Sequence, residues 1–206
     1  MNTAAEFLER ERQLHQEAEA ASIASERLFI WEPSDLAVVL GRGGDSSRQV
    51  HVEVCMRDNI PVLRRESGGG AVLLGPGCLN YSLILDLDRR PHLRDIAASY
   101  PVILDTVAEA TGVPGVQRIA DDLTVGRRKF AGSAQRRLRR TLLHHGTILY
   151  GFPIHKIERY LQQPERQPPY RNNRSHAGFL INASVDPAAF AARLQALYPE
   201  AGLVSV

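Results

Sequence analysis

"RRESGGGAVLLGPG", residues 64–77, sets three consecutive glycines between two arginines and an apolar run. Each glycine in an ordered segment costs about 0.5–1 kcal/mol of backbone entropy. Three together imply either a sharp reversal needing positive φ or a large flat group lying against the backbone. "PVLRRE" (61–66) reads as a short strand entering the glycines, and "CLNYSLILDL" (78–87) as a buried strand leaving them. Strand, glycines, strand is not the strand-to-helix order of a dinucleotide fingerprint. No Gly-Lys-Ser/Thr follows, so it is not a Walker loop either. Free N–H groups in such a turn can approach an anion or a ring. Arg64 and Arg65 alongside can grip a phosphate or carboxylate at two points.

Further out, residues 4–26 read as a charged helix, and 27–33 and 35–42 as strands split by a Pro-Ser-Asp turn. Residues 47–59 fit helix or strand, because Val50, Val52 and Val54 alternate. Residues 92–112 have helical spacing, with Pro101 kinking or dividing them and Gly112 as a stop. "DLTVGRRKFAGSAQRR" (122–137) and "TLLHHGTILYGF" (141–152) read as strands joined by an arginine-rich turn. Residues 153–163 and 186–202 read as helices, and 164–178 as an irregular loop with the composition of either a lid or an ordinary connection. The mixture is α+β, without the strict alternation of a doubly wound sheet.

At 206 residues the chain is long enough for one domain, 1–206. Net charge is only +2 and no apolar run approaches a membrane span, so neither nucleic acid nor membrane is an expected partner. The basic run in 127–140 lacks the interleaved aromatics of a single-strand binder. Two cysteines, Cys55 and Cys78, make no disulfide framework, and the composition fits the cytoplasm. Of 25 basic residues only Lys129 and Lys156 are lysine. Lys129 follows Asp122 by seven residues and precedes Ala131, Gly132, Ser133 and Ala134, small residues that leave room beside an ammonium. His144 and His145 adjoin in a strand, so they face opposite ways. Gly146 after them suggests close backbone approach.

The three stretches "RRESGGGAV", "DLTVGRRKFAGSAQRR" and "LLHHGTILYGF", in this order, resemble the lipoate–protein ligase catalytic domain, over about residues 27–155. Octanoyltransferases and biotin protein ligases belong to the same superfamily. The resemblance implies a mixed, largely antiparallel sheet flanked by helices. It implies an enzyme that activates lipoate or octanoate with ATP and Mg²⁺ to an acyl-adenylate. The acyl group then passes to a lysine of a lipoyl domain or of a glycine-cleavage H-type carrier. By the same resemblance Lys129 touches the reacting carboxyl and phosphate oxygens, and Asp122 lies near phosphate and magnesium or near the incoming lysine. Arg64, Arg65, Ser67, Gly68, Gly69, Gly70 and Ala71 lie along the acyl chain and adenylate. Gly132, Ser133, Ala134, His145 and Gly146 line the site.

The chain also departs from the ligase pattern. "LLGPGCLN" replaces an aromatic, His-Asp and Gly-Asn after the glycines, and is nearer the amidotransferase branch, as is "KFAG". Cys78 stands where asparagine is expected, so a cysteine-thioester transferase using Cys78 or Cys55 is the rival enzyme. A non-catalytic binder of lipoylated carriers is the rival module. The usual thioester positions hold Gln117 and "RTLLHHG", with no thiol. The chain ends too soon for a C-terminal accessory domain, which implies action alone or with a separate accessory polypeptide.

Overall fold

A computed structural model describes residues 2–21 and 25–204. The first helix, α1 (Ala4–Ala20), is followed by β1 (Arg27–Trp31) and β2 (Ala37–Leu40). Two short helices, α2 (Ser46–Gln49) and α3 (Val52–Arg57), lead to β3 (Val62–Arg64), β4 (Val72–Leu74) and β5 (Cys78–Asp86). The second half runs α4 (Ile96–Thr111), β6 (Gln117–Ile119), β7 (Asp122–Val125), β8 (Arg128–Arg137) and β9 (Thr141–Leu149). It continues with α5 (Ile157–Tyr160), α6 (His176–Phe179), α7 (Pro187–Leu197) and β10 (Gly202–Val204).

Among the described residues, seven strands form one sheet in the order β10-β1-β5-β9-β8-β7-β6, and three form a second, β3-β2-β4. Among the named strands of the described residues only β1–β10 and β2–β3 pair in parallel, so the α+β, largely antiparallel expectation holds. The spine is β5 against β9, in unbroken register from Cys78↔Leu149 to Asp86↔Thr141. Every residue of β5 is buried because both faces of the large sheet are covered. On one face Tyr81, Leu83 and Leu85 pack on Ile103 and Val107 of α4 and Phe190 and Leu194 of α7. On the other, Phe29, Trp31, Ile84 and Leu143 meet Phe7 and Leu14 of α1 and the small sheet's Val38, Val39 and Leu74. The functional cleft lies on this second face, between the two sheets.

Several local expectations change. The α1 helix starts with a capping box, Thr3 and Glu6, and ends at Ala20, with Ala21 as its cap; residues 22–24 lie outside the described residues. Residues 47–59 are helical in two pieces, broken at Val50, which bridges to Leu161. Residues 122–137 are a hairpin, not one strand. Gly126 and Arg127 both take positive φ (54° and 64°), the turn a two-residue hairpin requires. The α4 helix runs on through Pro101. Residues 153–163 yield only a 3-10 turn and the short α5, and α7 stops at Leu197, leaving 202–204 to join β1 as an edge strand.

Candidate functional site

The glycine run joins β3 to β4, and the two arginines before it hold main chain. Arg64 Nη1 donates to the carbonyls of Gly41 (2.8 Å), Arg42 (3.0 Å) and Gly44 (2.9 Å). Arg65 Nη2 donates to Gly68 O (2.7 Å) and Gly70 O (2.9 Å), and its Nη1 to Val39 O (3.3 Å). Burial lowers the Arg65 guanidinium to about 10. These contacts correct the expectation of a two-point grip on a ligand: the forks clamp the 41–44 turn and the glycine loop to each other. A Cβ on Gly41 would stand 2.2 Å from Gly69 O, so the two turns touch backbone to backbone. Gly69 itself sits at φ +95°. Gly68 and Gly70 have open space where a Cβ would be, and among the described residues the N–H groups of Gly68, Gly69 and Gly70 have no acceptor.

The β7–β8 hairpin carries the ammonium. Asp122 pairs with Gly132, and the register slips between Leu123 and Thr124, so that Thr124 faces Lys129. Lys129 Nζ lies 2.5 Å from Asp122 Oδ1, with the Asp122 side chain 5% exposed and that of Lys129 28%. A Cβ on Gly132 would lie 2.5 Å from that Nζ, so the space beside the ammonium exists because residue 132 is glycine. Asp122 Oδ2 accepts from the Tyr170 hydroxyl at 2.5 Å. Burial, and then the charge of Asp122, push the phenol of Tyr170 above its usual range and raise the Asp121 carboxyl. Ser133 donates to Asp121 O through both N (3.1 Å) and Oγ (3.0 Å), fixing the hairpin's edge.

On β9 the two histidines do face opposite ways. His144 is buried towards α4 and α7, beside Tyr81 and Gln135, and burial lowers it to about 3. His145 faces the cleft. Its Nε2 is 2.6 Å from Ser67 Oγ, and its Nδ1 is 2.8 Å from Glu11 of α1. Glu11 also accepts from Ser82. Burial, the largest influence, would raise the Glu11 carboxyl, but His145, Ser82 and His15 together outweigh it and hold Glu11 below the usual range. The close approach at Gly146 is by the ring of Tyr81, whose hydroxyl would stand 2.6 Å from an added Cβ.

These elements enclose a cavity of about 850 Å³. Its polar end carries Lys129, Asp121, Asp122, Gly132, Ser133, Ala134, His145, Gly146 and the Gly68–Gly70 backbone, with Ala71 and Arg65 beside it. Its apolar walls are Leu8, Trp31, Val39, Val72, Leu74 and Leu149. Part of the 164–178 segment covers it, through Pro164, Arg166, Pro168 and Arg171. An exposed Arg48–Glu165 pair at 2.7 Å links that segment to α2. A slot with apolar walls and a polar, donor-rich end suits a medium-length acyl chain ending in an activated carboxyl. Arg64, Ser67 and Cys78 do not line it.

A model of the lipoyl protein ligase A/B catalytic domain matches residues 3–195. The chain belongs to this family. It is 30% identical over 137 residues to lipoate-protein ligase A of Psychrobacter cryohalolentis, covering 66% of this chain and 39% of the relative. It is 28% identical over 145 residues to that of Blochmanniella floridana, covering 68% of this chain and 41% of the relative. The chain thus spans about two fifths of the length of these relatives. Among solved structures it resembles the bi-partite lipoate protein ligase of Thermoplasma acidophilum (TM-score 0.74, 17% identity, 96% of this chain and 83% of that one). It also resembles a lipoate-protein ligase A bound with ATP (TM-score 0.66, 17% identity, 96% and 85%). At such identities the structural likeness establishes the fold.

Within this lipoyl ligase A/B catalytic domain neither cysteine is placed to react. Cys78 is fully buried, bonds weakly to Leu73 O, and burial pushes its thiol up to about 12. Cys55 is 1% exposed, and burial raises its thiol as well. A thiol that is neither ionised nor in the cavity is no acyl acceptor, so the thioester reading is withdrawn. Two site residues escaped the sequence reading. Glu11 sits on the stripe Phe7, Glu11, Leu14, Ala18, and a carboxylate within an apolar helical stripe was its signal. Tyr170 stands in a proline-rich segment without periodicity and left none.

Proposed function

We propose that this chain is the catalytic unit of a lipoate–protein ligase. It joins lipoate or octanoate to ATP as an acyl-adenylate and passes the acyl group to a lysine on a lipoyl domain or glycine-cleavage-type carrier. The observation that carries this reading is the Lys129–Asp122 pair, set against Gly132 in the same cavity that the glycine loop, with its free N–H groups, also lines. The named relatives support it, as does the ATP-bound neighbour.

Forming the mixed anhydride brings a carboxylate up to a polyphosphate, so negative charge must be screened. Lys129 does this at the shared oxygens, and Asp122 with Tyr170 fixes where the ammonium stands. Gly68–Gly70 offer three donors to the same region without side chains in the way. Lys129 and Tyr170 already engage both Asp122 oxygens, so a magnesium ion would be held mainly by the nucleotide phosphates with Asp121 and Asp122 at its side, and it would add further screening. The apolar walls exclude water, which would otherwise hydrolyse the adenylate. When the acceptor amine attacks, Lys129 stabilises charge developing on the carbonyl oxygen. The 206 residues act in the cytoplasm as one unit. The Thermoplasma neighbour, itself bi-partite and studied with its lipoyl domain, supports both a carrier partner and a separate accessory polypeptide.

Lipoate-dependent exchange of labelled pyrophosphate into ATP tests the first half-reaction. Lys129→Ala should lower it at least about 10²–10³-fold, the loss typical of one preorganised charge-stabilising donor. Retained exchange in a folded Lys129→Ala protein would remove the assignment. Binding of lipoylated carrier with no exchange in the wild type would favour the binding-module reading.

A further inference from the structure

Outside the Lys129–Asp122 pair, the most completely connected buried polar group in the cleft is a four-residue chain. It runs from Ser82 to Glu11, from Glu11 to His145 Nδ1 (2.8 Å), and from His145 Nε2 to Ser67 Oγ (2.6 Å). Arg65 Nε donates to the same Ser67 oxygen at 3.1 Å. A hydroxyl oxygen accepts twice, so Ser67 takes Arg65 Nε while pairing with His145 Nε2, and its Oγ also lies 3.5 Å from Gly68 O as a donor. The sequence of contacts has the connectivity of a serine–histidine–acid triad, yet Ser67 is 0% exposed and does not line the cavity. It has no room for an acyl group. What Ser67 does have is a place in the chain directly before Gly68, with its carbonyl accepting from Arg42 N at 2.7 Å.

We infer that Glu11, His145 and Ser67 are positioning residues, which anchor the glycine loop to α1 and the large sheet so that its three free N–H groups face the ligand. The loop needs such an anchor. A Cβ at Gly68 or Gly70 would meet nothing within 4 Å, and the entropy glycine gains when released favours a mobile turn. Arg65 ties the loop's carbonyls, and the Glu11–His145–Ser67 chain ties its entrance from the opposite side. The first helix thereby becomes part of the ligand site although its only cavity-lining residues are Leu8 and Glu11. The inference concerns the loop in the unliganded protein, and only its kinetic arm rests on the ligase reading.

Amide hydrogen exchange on the free protein, followed in a peptide spanning 39–45 that holds the Arg42 amide bonded to Ser67 O, tests it without any activity. Ser67→Ala, the mildest change, should speed exchange of the Arg42 amide, which bonds Ser67 O, about tenfold with the melting temperature little changed. Glu11→Gln should do the same, and the Glu11→Gln/His145→Gln pair should add little to either single variant, because the chain is one unit. In pyrophosphate exchange these variants should raise KM for ATP and lipoate about tenfold while kcat stays within about threefold. Unchanged exchange in Ser67→Ala, or fully additive effects in the pair, would overturn the inference. So would an acyl adduct on Ser67 in the intact mass after incubation with lipoate and ATP, since the serine would then react and not position. Normal loop exchange effects with no ligase activity would leave the anchor standing and remove the proposed function instead.

Discussion

Gly132→Ala separates catalysis from stability in a single methyl group. The added Cβ would fall 2.5 Å from Lys129 Nζ, 2.7 Å from its Cε and 3.3 Å from Asp122 Oδ1, where ordinary contact begins at 3.4 Å. Asp122 is buried and held by Tyr170, so it cannot give way, whereas the lysine end is flexible. The ammonium must therefore retreat by about 1 Å. A displacement of that size at a reacting centre costs about 10²-fold, or about 2.7 kcal/mol of transition-state stabilisation. Folding should not suffer, because Gly132 lies at negative φ in a strand and alanine restricts the unfolded chain, a gain of about 0.4–1 kcal/mol. The expected result is about a hundredfold loss in kcat/KM for lipoate-dependent pyrophosphate exchange with a melting temperature equal to or above wild type. Full activity at unchanged stability would refute the reasoning, since it would mean that the ammonium's position against Asp122 is immaterial.

Two further outcomes follow from the same geometry. Cys78→Ala should keep exchange and acyl transfer within about threefold and cost roughly 1 kcal/mol of stability from the small cavity it leaves; loss of transfer in a folded variant would revive a thioester route. Burial holds His15 neutral down to about 4, despite the nearby Glu11 and Glu19, and His144 down to about 3. In the unfolded chain both take up a proton near pH 6.5, so the unfolded state binds more protons and stability falls as pH drops from about 6.5 towards 4. At pH 5 the two histidines together should have removed about 4 kcal/mol relative to pH 7, read as a fall in the urea midpoint. His15→Leu should flatten that dependence by about half, and an unchanged slope would contradict the assignment.

What the sequence disclosed was what neighbouring residues settle among themselves. The glycine run, the Asp122–Lys129–Gly132 hairpin and the opposed His144 and His145 lie within single motifs, and strand periodicity places them. The sequence is silent on what those side chains meet. Glu11 and His145 are 134 positions apart, and Tyr170 and Asp122 are 48 apart, so their contacts depend on how α1 and the 164–178 segment pack. The arginines mislead for the same reason. A guanidinium beside glycines suits a phosphate and a row of carbonyls equally well, and only the approach of the 41–44 turn decides between them. Residues 47–59 form two short helices against their alternating valines, because the bridge from Val50 to Leu161 interrupts the segment and tertiary contact overrides local preference.

The near absence of lysine has a chemical consequence under the proposed ligase reaction, in which the protein handles an activated acid. An acyl phosphate acylates any free amine it meets, whereas a guanidinium stays protonated and inert. With 23 of its 25 basic residues arginine, this surface keeps its positive charge yet presents almost no nucleophile to its own product. Among the described residues the lysine ammonium lining the cavity is paired with Asp122, so in the proposed reaction the accepting amine arrives on another molecule.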